Sequence, residues 1–246
     1  MAQATRIEWT EYSWNPVSGC TKISSGCKHC YAERMASRLE AMGVEKYKSG
    51  FRLKIHPDLL AVPMKWHRPR MIFVNSMSDL FHEDVPISFI EQVFDVMNRC
   101  PQHTFQILTK RSKRLIDISK SLNWTHNIWM GVTVENSQVV RRIKDLSRCH
   151  ATVKFISCEP LLGPIDGLDL NGVNWVIVGG ESGPHARPMK EEWAVAIRDR
   201  CLAAGVPYFF KQWGGWNNKA RGRTLKGHVW DQMPPVAYNQ DSGFAG

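Results

Sequence analysis

Residues 71–109 read MIFVNSMSDLFHEDVPISFIEQVFDVMNRCPQHTFQILT, and their pattern decides the fold class. An apolar run at 71–76 (MIFVNS) is followed by a stretch, 87–100, whose apolar residues return every three or four positions. A second run, 104–109 (TFQILT), closes the unit. Runs that are continuous, not alternating, suit parallel strands covered on both faces. The helix-period segment between them is the crossover that parallel pairing requires. The unit recurs. Strand-like runs stand at 128–134 (IWMGVTV), 153–158 (VKFISC), 174–179 (NWVIVG) and 206–210 (VPYFF), with a short opening candidate at 14–17. Helix-period segments fall at 31–42, 111–122, 136–149 and 190–204, the last closed by Gly205-Val206-Pro207, a turn signal. Residues 160–173 hold three glycines and two prolines and read as a loop. This alternation defines an α/β chain with right-handed crossovers. No G-x-G-x-x-G follows a first strand, which weighs against an open dinucleotide-binding sheet. A partial β/α barrel of six or seven units over residues 1–212 is therefore expected. Residues 211–235 (KQWGGWNNKARGRTLKGHVWDQMPP) then interleave tryptophans with cations. Residues 213–246 read as a basic-aromatic C-terminal extension or lid, not an independent domain.

The 246 residues, 43% of them hydrophobic, suffice for one large core. No segment approaches the roughly 18 uninterrupted apolar residues of a membrane span. The opening MAQATRIEWTEY lacks an apolar signal core, and a cytoplasmic protein with no membrane association is expected. Lysine plus arginine number 32 and aspartate plus glutamate 23, so 32 − 23 gives +9. That balance favours polyanionic partners, because neutralising phosphates releases counterions.

Seven cysteines are an odd count, which with no export signal argues against a disulfide framework. Cys100, Cys149, Cys158 and Cys201 are scattered through apolar sequence, as small core residues are. Three cluster instead: Cys20-Thr-Lys-Ile-Ser-Ser-Gly-Cys27-Lys-His-Cys30-Tyr31-Ala32. Closely spaced thiolates on one loop can wrap a corner of an iron–sulfur cube, and three ligands leave one iron open to a cofactor or substrate. Two other chemistries compete. Structural zinc would need a fourth ligand such as His29, but such sites pair two close-spaced couples and no second couple is present. A redox Cys27/Cys30 pair leaves Cys20 unexplained.

Polar residues also follow each apolar run: Asn75, Ser76, Ser78 and Asp79; Lys110; Thr133 and Glu135; Glu159; Glu181; Lys211 and Gln212. In β/α barrels the loops after the strands form the active face. Six polar strand ends in succession point to one ring of ligands, although any one alone is ordinary helix capping.

The cysteine segment, with its trailing Tyr-Ala and helical continuation, resembles the cluster loop of the radical S-adenosylmethionine superfamily. That superfamily usually has three residues between its first two cysteines, and this chain has six. The stretches WTEYSWNPVSGC, CKHCYAERMA, VNSMSDLFHEDVP, QILTKR, GVTVEN, FISCEPLLGPI, WVIVGGESG and FFKQWG resemble a phage- and bacteria-associated three-cysteine family of poorly defined function. They span nearly the whole chain. Spore photoproduct lyase, which acts on DNA, is similar at a greater distance. The resemblance implies a partial β/α barrel and a [4Fe–4S] cluster on Cys20, Cys27 and Cys30. It also implies S-adenosylmethionine chelating the open iron, reductive cleavage to a 5′-deoxyadenosyl radical, and an electron donor such as flavodoxin or ferredoxin. By position along the barrel it places Ser76, Ser78 and Asp79 at the methionyl amine and Lys110 at its carboxylate. Thr133 and Glu135 fall at the ribose, and His29 and Tyr31 near adenine. Cys158, Glu159 and Lys211 become candidate catalytic residues, Cys158 as a hydrogen-atom donor. Glu181, Gln212, Trp213 and Trp216 become candidates for substrate binding.

Three basic clusters carry the substrate reading: residues 65–70 (KWHRPR), 110–114 (KRSKR), and the tail with Lys219, Arg221, Arg223 and Lys226 among Trp213, Trp216 and Trp230. Cations with stacking platforms favour a nucleic acid or nucleotide, hence a nucleobase modification or DNA repair reaction. A free small metabolite is the rival substrate. A zinc-stabilised, non-catalytic nucleic-acid-binding protein is the rival class.

Overall fold

The computed structural model describes residues 3–5, 7–216 and 222–236. The chain opens with β1 (Gln3–Ala4) and β2 (Tyr12–Trp14), followed by β3 (Val17–Ser18), helix α1 (Tyr31–Ala41) and β4 (Lys54–Ile55). Then β5 (Met71–Val74), α2 (Ile87–Asn98), β6 (Thr104–Thr109), α3 (Ser112–Ile118), β7 (Ile128–Thr133), α4 (Arg141–Ser147) and β8 (Val153–Cys158) alternate strictly. After the loop at 160–173 come β9 (Trp175–Gly179), α5 (Glu191–Ala204), β10 (Tyr208–Gln212) and a hairpin, β11 (Thr224–Leu225) with β12 (His228–Val229).

The main sheet has the order β1-β2-β5-β6-β7-β8-β9-β10. From β2 onward every neighbouring pair is parallel, seven strands curled into a partial barrel, and only β1 runs antiparallel. The expected fold class is therefore the observed one. Several element ends fall inside the expected ranges, α3 stopping at Ile118 and α4 starting at Arg141, and two strand boundaries moved at a proline. The opening strand stops at Trp14 because Asn15-Pro16 breaks the ladder, and Val17–Ser18 pair instead with Lys54–Ile55. The last strand begins at Tyr208, past Pro207, whose nitrogen carries no proton to donate. It runs on to Gln212, so Lys211 lies on the strand and not after it.

Period-2 alternation sorts the strand residues onto two faces. Outward residues such as Ile72, Val74, Ile107, Val132, Ile156, Val176 and Phe210 form one core with the helices, with Val93 and Met97 of α2, Ile143 of α4 and Ile197 of α5. Inward residues change character along each strand. Near the N-terminal ends, Met71, Trp129, Phe155, Trp175 and Phe209 pack with Trp9 into an aromatic floor; Trp9 and Trp175 meet edge-on at 6.3 Å. Gly131 makes room for it, since a Cβ there would lie 2.4 Å from the Phe155 ring. Toward the C-terminal ends the inward positions turn polar: Asn75, Thr133, Ser157, Glu159 and Lys211. A pocket sits above the floor.

The segment after β10 returns to the barrel. The Phe210 amide donates to the Trp230 carbonyl, and Trp175 Nε1 donates to the Gln232 carbonyl at 2.8 Å. No helix among the described residues is long and apolar enough to cross a membrane.

Candidate functional site

The pocket has a volume of about 480 Å³, with Trp9, Phe73 and Leu108 below and all three clustered cysteines on one wall. A larger open cleft of about 1080 Å³ lies at the opposite end of the sheet, lined by residues such as Leu168, Asn174, Arg200 and Pro207. None of the polar strand-end residues reaches that cleft, so the smaller pocket is the candidate site.

The cysteine loop is held from three sides. Gly19 enters it with φ of 81°, donating to the Met77 carbonyl, and Cys20 donates to the Phe51 carbonyl. A short turn over Ser25–Cys27 follows, and α1 starts directly after Cys30. From the loop after β6, Arg111 Nη1 approaches Cys20 Sγ at 3.4 Å, and Nη2 donates to the Thr21 carbonyl at 3.1 Å and hydroxyl at 2.9 Å. From the end of β7, Glu135 accepts from Ser24 Oγ at 2.5 Å and is paired with Arg142 at 2.8 Å. Gly26 permits this, because a Cβ there would lie 2.4 Å from Glu135 Oε1. From the loop after β9, Glu181 meets His29 Nδ1 at 3.0 Å and Arg187, which donates to the Ser25 carbonyl at 2.9 Å.

Burial, then the charge of Asp79, pushes the Cys20 thiol up to about 11, against the opposing pull of Arg111. Burial would raise Cys27 too, but backbone hydrogen bonds from Ile23 and Ser24 and the charge of Lys110 hold it below its ordinary value. Burial works against ionised Glu181 as well, yet hydrogen bonds from Arg187 and His29 hold it down at about 2.

Of the residues expected at a site, Ser76, Ser78, Asp79, Lys110, Thr133, Glu159, Glu181, Lys211, Gln212, His29 and Tyr31 all border the pocket. Lys110 Nζ donates to Thr133 Oγ1 at 3.2 Å. Lys211 pairs with Glu159 at 3.1 Å, and Ser157 donates to the same carboxylate. Burial would lower Lys211, but Glu159 raises it above its ordinary value.

Several expectations are corrected. The Asp79 carboxylate accepts from Thr109 Oγ1, Phe81 N, Lys110 N and Arg111 Nη1, so its lone pairs serve the protein and not an ammonium. Glu135 is fully buried behind the cysteine loop and does not line the pocket, which removes it from the ribose. Cys158 points to the outer face, completely buried in the helix-covered core near Cys201, where it cannot donate a hydrogen atom into the pocket. Glu181 borders the pocket but spends its carboxylate on His29 and Arg187. Trp213 Nε1 donates to the Thr224 carbonyl at 2.9 Å and its ring packs on Phe210; neither it nor Trp216, which is 79% exposed, lines the pocket.

The basic clusters are also dispersed. Residues 65–70 precede β5, at the end of the sheet away from the pocket, with Arg70 stacked 4.0 Å from Tyr12 and 4.6 Å from Trp66. In the second cluster Arg111 is buried, and Arg114 donates to the carbonyls of Glu83 and Val85. In the tail, Lys226 is paired with Glu191 and Arg223 stacks on Phe209, while Lys219 and Arg221 lie outside the described residues.

Arg142 and Arg187 were not expected at the site. Each follows its carboxylate by six or seven residues, Glu181 for Arg187 and Glu135 for Arg142, a spacing that marks no site by itself, and the contact of Arg187 with the Ser25 carbonyl exists only in the folded chain. Among the described residues no three His, Cys, Asp or Glu side chains are grouped to hold one metal ion. The fit of a thiolate-bound cluster with a polar cofactor rests on other features. Three thiols edge one pocket, and that same pocket holds three buried polar atoms without a partner: Asn75 Nδ2, Ser78 Oγ and Trp9 Nε1. Such atoms are costly unless a ligand or water pairs them.

No curated protein matches this chain in sequence. Structures similar to it include spore photoproduct lyase complexed with dinucleoside spore photoproduct (12% identity, TM-score 0.47). A variant of that lyase with bound AdoMet and dinucleoside spore photoproduct gives the same values, and both matches cover 81% of this chain and 63% of the lyase. Another variant matches with 11% identity and a TM-score of 0.49, covering 73% and 58%. The chain thus spans less than two thirds of the length of those proteins. The model of one family, described as protein of unknown function (DUF5131), matches residues 4–234, and the chain belongs to that family.

Proposed function

We propose that this protein is a radical S-adenosylmethionine enzyme. Cys20, Cys27 and Cys30 would hold a [4Fe–4S] cluster, and the pocket beside them would receive S-adenosylmethionine and a substrate. The observation that carries the reading is the shared wall: three thiols on a loop braced from three strand ends border one pocket with unpartnered polar atoms. The cluster and cofactor, when bound, supply one-electron cleavage of a sulfonium and the means to abstract a hydrogen atom from substrate. The electron would come from a small carrier such as flavodoxin or ferredoxin.

The chain's own residues supply position and exclusion. Lys110, exposed to the pocket and lightly held by Thr133, suits the methionyl carboxylate. Ser78 Oγ can accept from the ammonium and Asn75 Nδ2 can donate. Trp9, Phe73 and Leu108 close the floor against water. Glu159 and Lys211, paired on the wall formed by β8 and β10, present an acceptor and a donor to the substrate.

The substrate reading is a nucleobase or nucleic acid, supported by the charge of +9 and by the exposed Trp216. A free small metabolite is the second reading, favoured by the placement of residues 65–70 at the far end of the sheet and by the inward turn of Arg111 and Arg114. Anaerobic reconstitution, followed by iron, sulfide and cofactor-cleavage assays on one sample, tests the chemistry. About four irons per chain are expected. Cys20→Ala, Cys27→Ala or Cys30→Ala should abolish cleavage, while Cys100→Ala and Cys201→Ala should retain it. Stoichiometric zinc with no iron would overturn the proposal.

A further inference from the structure

Arg111 is the most heavily engaged cation in the described structure. It stands one residue beyond Lys110 in the loop after β6, and its side chain is 3% exposed. Nη1 donates to Asp79 Oδ2 at 3.2 Å as well as facing Cys20 Sγ at 3.4 Å, and Nε donates to Glu83 Oε2 at 2.8 Å. Nη2 is spent on Thr21, whose hydroxyl also meets His82 Nε2 at 2.8 Å. A guanidinium so committed has no donor left for the cofactor, and Lys110 beside it is the residue turned to the pocket. Its fork holds a fixed orientation that an ammonium could not copy.

We infer that Arg111 is a positioning residue that hydrogen-bonds the Cys20 sulfur and raises the reduction potential of the cluster bound there. The inference rests on the cluster proposed above. A hydrogen bond to a ligating sulfur stabilises the more negative, reduced cluster, as does a nearby positive charge. Two carboxylates, Asp79 and Glu83, lie on the same guanidinium, so its removal would take away the sulfur's donor and leave both anions uncompensated. Both effects lower the potential. Removing a carboxylate instead, at Glu83, acts in the opposite sense. Because Glu83 is 60% exposed, its effect is the smaller one.

The experiment is a redox titration of the full, anaerobically reconstituted chain, read by the electron paramagnetic resonance of the reduced cluster. Arg111→Gln should cut the reduced-to-oxidised ratio at a fixed potential at least tenfold, which is about 59 mV for a one-electron couple. Arg111→Lys, which keeps the charge but not the fork, should fall between it and the wild type. Glu83→Gln should shift the ratio the other way. A purely structural Arg111 would change iron content without this pattern of signs. Unchanged potentials in Arg111→Gln and Glu83→Gln, or shifts of the same sign in both, would overturn the inference while leaving the cluster in place. If Arg111→Gln binds no iron, the direction of the Glu83→Gln shift decides. A wild-type chain that takes up no iron would overturn the cluster proposal itself, and this inference with it.

Discussion

Glu181 shows how one side chain here serves the architecture around the cysteine loop. Its carboxylate bridges His29, inside the cysteine motif, to Arg187, which reaches back to the Ser25 carbonyl. Held at about 2 against an ordinary 4.5, it favours the folded chain while ionised. That contribution is complete above pH 4.5, fades as the pH falls, and is gone below about 2. Glu181→Gln should therefore cost on the order of 3 kcal/mol at neutral pH. It should also flatten the decline of stability between pH 4.5 and 2. Urea unfolding of both proteins across that range checks the prediction, and parallel curves would remove Glu181 from the latch. The site is partly legible in one dimension: three cysteines within eleven positions stand out by their spacing alone, and all three border the pocket. Their braces are not, since Arg111 and Arg187 look like ordinary surface cations until the barrel brings Cys20 and Ser25 to them.

At the scale of elements, the strands were legible because each is covered on both faces and so reads as an unbroken apolar run. Two of the departures fall where backbone chemistry overrides side-chain pattern, at Pro16 and Pro207. The single glycine inside β7 has a packing cause that pattern alone does not display. Phe155 on β8 fills the space a side chain at 131 would need. Gly131→Ala should thus destabilise the protein by about 1–3 kcal/mol through overpacking. Equilibrium denaturation would show it as a lower midpoint with an unchanged slope. A neutral effect would mean that the aromatic floor can shift, and that the pocket above it is less rigid than its packing implies.

The whole molecule separates its charge from its pocket more than the composition suggests. Of the three basic clusters, one lies at the far end of the sheet and one is largely turned inward. If nucleic acid is nonetheless the substrate, the contact involves few phosphates. Log affinity should then fall with log salt by a slope of about 0.9 per duplex phosphate neutralised, and that slope should be shallow. Trp216→Ala should weaken single-strand binding with little change in slope. Titration of labelled single- and double-stranded DNA and RNA at two salt concentrations measures both, and no binding even at low salt would favour a small metabolite. The sequence by itself determined the class of fold, because parallel strands and amphipathic helices impose hydrophobic periods that survive in one dimension. It also marked the three cysteines, because their spacing on one loop is local. Only the tertiary structure decided which polar strand ends face the pocket. A one-residue step along a strand turns a side chain to the opposite face, placing Cys158 in the core and Glu159 in the cavity. It alone decided which charges are free, because a cation's partner is set by proximity in space, and Asp79 finds Arg111 only once β5 and β6 lie side by side.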